Sequence, residues 1–437
     1  MLNIQIDPSA FAYPEIPLPD VWRICQKIDA PELADVENSA REAARTLISD
    51  PRIRPGASVA VGVGSRGIDN LVLIVRSVID ELKKAGAEPF IVPAMGSHGN
   101  ATAEGQITVL HDYGIKPDTV GAPIRATMEV KHVGALEDGY PVYFDCNAFN
   151  ADAVLVINRI KPHTDFSGEI ESGIAKMCAI GLGKQKGAAT IHTFGAQGLR
   201  NIMPKVARKL VESTNIVGGI ALIENQYGRT AELHALKSAD VGLEREMALL
   251  KRARTLMPGL PFKQLDVMVV DEMGKDISGA GMDTNVIGRL AMPSIPETEW
   301  VGPDVRVVCV LDITEKSHGN AAGFGLADMT TRRLVERIDF PTTMTNHRTS
   351  GEGGVYRGKL PIVLENAEEC VKAAIGSCGR GIPEQVRLAR IRNTEVLEQF
   401  EVSSALLSDV QSNPSLEILS GPSRIDLSGA LPVERRK

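Results

Sequence analysis

The feature that most constrains this chain is an alternation. Short apolar runs the length of a buried strand are followed, again and again, by segments with the period of an amphipathic helix. Residues 57–63 read as a strand buried on both faces, and residues 70–84 read as a helix that stops at Gly86. The unit recurs: 89–93 is strand-like, and after a polar loop a helix starts at Asn100 or Thr102 and reaches about Tyr113, with Gly114 behind it. Further strands are expected at 141–145, 153–157 and 216–223, and helices at 37–47, 201–213 and 239–253. Such alternation means a mostly parallel sheet covered by helices.

Between Arg254 and Gln264, Pro258, Gly259 and Pro261 break the helical period, which places a hinge there. Beyond it, 265–270 and 305–311 read as central strands and 326–338, 367–374 and 384–391 as helices. The expected fold class is therefore α/β: two α/β domains with mostly parallel sheets and an active-site cleft between them. The first domain spans 1–258 and the second 264–414, with a late strand at 415–419 that would let 415–437 return to the first. A length of 437 residues suits two domains.

Lys and Arg number 48 against 55 Asp and Glu, a net charge of −7, which offers no global attraction to nucleic acid or anionic lipid. The first twenty residues lack a basic segment followed by an apolar core, and no apolar run approaches the roughly 20 residues of a membrane span. Six cysteines without a CxxC pair argue against a zinc knuckle or a disulfide framework. Reduced thiols and a cytoplasmic location are expected. Neither GxGxxG nor GxxxxGK[ST] follows any strand, so ordinary dinucleotide or P-loop binding has little support.

In an open parallel sheet the loops after the strands carry the chemistry. Here they read Gly64-Ser65-Arg66-Gly67, Gly96-Ser97-His98-Gly99-Asn100, Asn158-Arg159-Ile160-Lys161-Pro162-His163, Gly274-Lys275-Asp276-Ile277-Ser278-Gly279 and Lys316-Ser317-His318-Gly319-Asn320. Glycine permits close backbone approach, and Ser and Arg donate to phosphate or carboxylate oxygens. His98, His163 and His318 fall at these strand ends, and imidazole both exchanges protons near neutral pH and ligates metals. Ser97-His98-Gly99-Asn100-Ala101 recurs identically at 317–321, a match that duplicated or convergent loops facing one cleft would explain. The stretch from Asn158 to Gly195, with His163, His192, Lys176, Lys184 and Lys186 among many glycines, is expected to be a loop wrapped around a charged ligand. His111, His132, His234 and His347 read as structural or surface residues.

Through these loops the chain resembles the nickel-dependent lactate racemase family. The matching motifs are Arg66 in the first loop, Gly96-Ser97-His98, Pro162-His163-Thr164-Asp165-Phe166-Ser167-Gly168, the downstream His192, and Ser317-His318-Gly319. The resemblance implies a nickel-pincer nucleotide as cofactor and racemisation or 2-epimerisation of a 2-hydroxy acid through hydride transfer and a transient 2-keto acid. It also implies roles. His98 and His163 would be the two bases and His192 the nickel ligand. Ser65, Arg66, Lys176 and Lys184 would hold the cofactor, and Arg159 or Lys161 the substrate carboxylate. Lys275, Asp283, Asn285 and His318 would reach the substrate from the second domain. The family's reference members carry Phe-Ser-Gly-Gly-Arg-Lys, whose lysine tethers the cofactor, whereas this chain has Phe166-Ser167-Gly168-Glu169-Ile170-Glu171, so either Lys176 or Lys184 would replace that lysine or the cofactor would be held without a covalent bond. Another metal- or nucleotide-dependent lyase or dehydrogenase, or a non-catalytic cofactor-binding homologue, would also fit the loops. The expected partner is a small 2-hydroxy acid rather than nucleic acid or membrane, and a homo-oligomer is compatible with it.

Overall fold

The structure is a computed structural model that describes residues 16–65, 67–296 and 302–433. The chain divides into two compact units, one formed by residues 30–257 and the other by residues 258–437 together with the N-terminal strand β1 (Asp20–Gln26). Among the described residues no helix is long and apolar enough to cross a membrane.

In the contiguous unit, β2 (Ser58–Val63), β3 (Glu88–Pro93), β6 (Ala153–Arg159), β7 (Ile216–Glu224) and β8 (Thr230–Lys237) form one sheet in the order β3-β2-β6-β7-β8. The first four are parallel and β8 returns antiparallel to β7. A two-stranded ribbon of β4 (Val130–Ala135) and β5 (Pro141–Asp145) stands apart from this sheet. Helices α1 (Val36–Ile48) and α2 (Leu71–Lys84) pack together: α1 buries Ala40, Ala43, Ala44 and Leu47, and α2 buries Leu71, Ile74, Val75, Val78, Ile79 and Leu82, each a stripe at helical spacing. Asp35 caps α1 by accepting from the N–H of Asn38 at 2.9 Å. After the loop that follows β3 comes α3 (Ala103–Asp112), capped by Thr102.

The stretch expected to be one ligand-wrapping loop is a loop only as far as Gly173. From Ile174 it runs through a short helix, a wide π turn at Met177–Gly181 and α4 (Lys184–His192), and the chain continues through a second π turn at Gly198–Ile202 into α5 (Met203–Ser213), where a helix was expected. Its glycines serve close packing rather than slack. A Cβ on Gly181 would lie 2.8 Å from the carbonyl of Ala94, and one on Gly198 would lie 2.2 Å from that of Ile191. The unit ends with α6 (Glu244–Thr255).

In the other unit, β9 (Gln264–Met273), β10 (Asp304–Ile313), β11 (Met329–Thr331), β12 (Ile362–Leu364), β13 (Leu388–Ile391), β14 (Gln399–Ser403) and β15 (Leu416–Arg424) join β1 in an eight-stranded sheet ordered β12-β11-β10-β9-β13-β14-β1-β15. Strands β9 to β13 are mutually parallel and β14, β1 and β15 antiparallel. Two expectations are corrected here. The late strand β15 pairs with β1 rather than returning to the first domain, and β1 itself joins this unit, because Val21 and Ile24 complete its apolar core. The segment 384–391, expected to be a helix, ends in β13, held between β9 and β14 with all four residues buried.

Candidate functional site

Register sets β2, β3 and β6 level at their carboxyl ends, with Val63 opposite both Pro93 and Ile157. The loops 64–70, 94–102 and 160–173 therefore leave the sheet side by side, with the Ser65 loop in the middle. Glycine lets them crowd against the Met177–Gly181 turn. A Cβ on Gly64 would meet Met177 Cε at 3.0 Å, and Gly96, at φ 59°, donates its N–H to the Gly181 carbonyl at 3.0 Å.

This crowding brings Ser65 to His98: the serine Oγ hydrogen-bonds Nδ1 of the imidazole, whose ring is exposed. The His98 backbone is held from behind by Gln106, fully buried, which donates to the carbonyls of Gly96 at 3.0 Å and His98 at 3.3 Å.

The loop after β6 is organised by a carboxylate. Glu171, 1% exposed, accepts from the N–H of His163 at 2.7 Å and of Gly168 at 2.8 Å, and pairs with Arg254 of α6. Arg254 also reaches the Gly168 carbonyl at 3.2 Å and Ser167 Oγ at 3.3 Å. The half-buried His163 ring lies 4.7 Å from that of Phe166, and its Nδ1 accepts from the N–H of Asp165 at 3.1 Å. Neither Glu171 nor Arg254 stood out in the sequence as an organiser of this loop. Arg254 lies 83 residues beyond its partner, a separation that leaves no local signal.

Lys176 and Asp165 both act on His192, whose ring is exposed yet hemmed by neighbouring atoms. This crowding, then the positive charge of Lys176, holds its imidazole below the ordinary value, and Asp165 opposes them. Arg159 is paired with Glu224 at the end of β7, and Glu224 also accepts from the N–H of Asp69 at 2.9 Å. The half-buried Lys161 is fixed through its backbone, which exchanges hydrogen bonds of 2.7 Å with the Ser172 hydroxyl.

Lys184 departs from its expected place on a cofactor. It has no exposed surface and its Nζ donates to the Pro93 carbonyl at 2.5 Å and Gln106 Oε1 at 2.9 Å, beside the equally buried Asp145 at 3.3 Å. It therefore presents no charge to a phosphate. Arg66 lies outside the described residues.

The remaining candidates sit in the other unit and are built into its own networks. Asp283, which is buried, caps a short helix by accepting from the N–H and side-chain amide of the half-buried Asn285, both at 2.9 Å. Lys275 donates to the Gly279 carbonyl at 2.5 Å, and its N–H meets Ser317 Oγ at 2.8 Å. The repeated pentapeptide is not a repeated structure. His98 has extended backbone and precedes a tight turn at Gly99–Ala101, whereas the exposed His318 is left-handed at φ 47° and follows a turn at Glu315–Ser317. Ser97 is exposed, while Ser317 is buried and donates to Asp276 at 2.8 Å.

Among the described residues no three His, Cys, Asp or Glu side chains cluster as a metal site. Compared with known proteins, residues 34–198 match the family model described as the lactate racemase N-terminal domain. No curated protein matches the chain. Among solved structures, a Thermotoga maritima protein determined by a structural genomics consortium is 15% identical, with 63% of this chain and 70% of that one covered at a TM-score of 0.45. The matched segment contains Ser65, His98, Arg159, Lys161, His163, Lys176, Lys184 and His192.

Proposed function

Because this chain carries a domain of the lactate racemase family over residues 34–198, we propose that it is a racemase or 2-epimerase of a 2-hydroxy carboxylic acid that uses a nickel-pincer nucleotide. One observation carries the reading: within the matched segment, the His98 and His163 loops leave the sheet on either side of the Ser65 loop. Two strand spacings separate their starting points by roughly 10 Å, room for a small hydroxy acid between two imidazoles.

The residues present suit such a cofactor in part. A metal held by one protein imidazole needs that ring neutral and reachable, and His192 is exposed in surroundings that favour its neutral form. Lys176, whose charge reaches His192, would hold the nucleotide phosphate; Lys184 has no part in it. Glu171, buried under Arg254 where the family carries its tethering lysine, makes no covalent link, so Lys176 would supply the tether or the cofactor would be held by non-covalent contacts. When bound, the cofactor supplies a hydride acceptor for the substrate's C2. The chain's own residues bind the carboxylate and manage the hydroxyl proton. Lys161 or Arg159, the latter paired with Glu224, would bind the carboxylate. His98 and His163 attend the hydroxyl.

The test is to produce the protein alongside the cofactor-synthesis enzymes, measure its nickel and intact mass, and screen pure enantiomers of lactate, malate and sugar acids. Interconversion of at least one pair is expected, with both nickel and activity lost in His192→Ala. Nickel-loaded protein that leaves every enantiomer unchanged would refute the proposal.

A further inference from the structure

The two imidazoles have different partners at Nδ1, and the difference decides what each can do. His163 Nδ1 accepts from the backbone N–H of Asp165 at 3.1 Å. An amide N–H only donates, so this nitrogen must keep its lone pair. The neutral ring then carries its proton on Nε2, the nitrogen turned away from that contact. His98 Nδ1 instead meets the hydroxyl of Ser65, which can donate or accept. The His98 ring can therefore present either a lone pair or a proton at Nε2, with the serine hydroxyl turning to match.

We infer that the pair is asymmetric: His98 takes and returns the hydroxyl proton of the substrate, with Ser65 as its positioning residue, while His163 stays neutral and serves as a hydrogen-bond donor through Nε2–H. This rests on the proposed function in one respect, that both rings attend the same hydroxy acid. The backbone N–H of His163 is secured independently of its side chain. It is held by Glu171 at 2.7 Å, and the Glu171 carboxylate is anchored in turn by Arg254 and the N–H of Gly168. Proton transfer at His98 balances without another group: the hydroxyl O–H breaks as Nε2–H forms, the keto acid turns about its C=O axis with its oxygen still at His98, and the reverse step then restores the O–H bond on the inverted product.

The assignment is read first in protein without cofactor, labelled with nitrogen-15 in the histidine rings and assigned by comparison with His98→Gln and His163→Gln. His163 is expected to carry its proton on Nε2 at every pH where the ring is neutral, and a proton on Nδ1 would overturn the inference. In loaded protein, glutamine places an amide N–H where Nε2–H stood, so His163→Gln should lose about tenfold in kcat, whereas His98→Gln, which removes a proton carrier, should lose about a thousandfold. Equal losses would also overturn it. Ser65→Ala should shift the pH profile of kcat, and Ser65→Thr, which keeps the hydroxyl, should restore it; an unmoved profile removes Ser65 from its role. Loaded wild-type protein inert toward every hydroxy acid would count against the proposed function, while the ring spectra would still decide the tautomer.

Discussion

A lysine without exposed surface must be paid for by its partners, and at Lys184 these are the Pro93 carbonyl, Gln106 and the carboxylate of Asp145, itself fully buried. Burial pulls the lysine down from its ordinary pKa and pushes the aspartate up, each partly offset by the other. Removing one member leaves the other charge stranded, so Lys184→Met should cost about 3–5 kcal/mol in urea unfolding, and adding Asp145→Leu should recover most of that loss. A loss below about 1 kcal/mol for the single variant would show the pair to be solvated. The residues at the strand ends were legible beforehand, because a polar loop after a buried parallel strand has few duties besides function. Lys184 was not, since nothing in a glycine-rich run of lysines tells which one turns inward. Its left-handed backbone, φ 53°, belongs to a turn that only the packed fold imposes.

At the scale of elements, the helix that begins at Ile174 is held at its start by a residue from α6. Glu246 accepts from the N–H of Ala175 at 3.0 Å and of Gly242 at 2.7 Å, and Gly173, at φ 92°, leaves the space this carboxylate needs. Burial pushes the Glu246 carboxyl up to about 7, against the pull of those N–H groups. Between about pH 4.5 and 7 the folded chain keeps a proton that the unfolded chain has released. Its contribution is therefore complete below that window and fades as pH rises through 7. Wild-type protein should lose roughly 2 kcal/mol from this group between pH 5 and pH 8, and Glu246→Gln, with no proton to lose, should show a flatter profile in paired urea titrations. Parallel profiles would refute this. In the contiguous unit β2, β3, β5, β6 and β7 announced themselves by apolar runs, whereas β4 and β8, whose burial is mixed, did not. In the other unit β13 did not: four residues are too short to show a period, and its Arg390 looks solvent-bound until Asp271, at 2.8 Å, and Glu401 supply partners inside the fold. Likewise 174–195 read as loop because glycine was taken as slackness, whereas Gly181 and Gly183 mark close approaches.

For the whole molecule, the order of strands makes the two units unequal. Residues 30–257 hold a complete sheet and core, whereas 258–437 lack β1, which lies between β14 and β15 and buries Val21 and Ile24. The fragment 30–257 should unfold cooperatively by circular dichroism. The fragment 258–437 should fold only when residues 16–29 are supplied, in cis or as a peptide. Cooperative folding of 258–437 alone would contradict the pairing. That β1 joins the far end of the chain was illegible because strand pairing across so long a separation leaves no local pattern, and a seven-residue strand suits either sheet. Five of the six cysteines are buried, so thiol labelling of the native protein should stop at Cys146, itself slowed because burial raises its pKa, until denaturant exposes the rest.

The central claim, inversion of a hydroxy acid at a centre flanked by His98 and His163, is tested most directly by giving loaded protein a single enantiomer of lactate deuterated at C2, in ordinary water. The account predicts the opposite enantiomer with its deuterium retained, because that atom leaves and returns as hydride while only the hydroxyl proton is exchanged with the protein. Inversion with deuterium washed out to solvent, or recovery of the starting enantiomer alone from fully loaded protein, would contradict it.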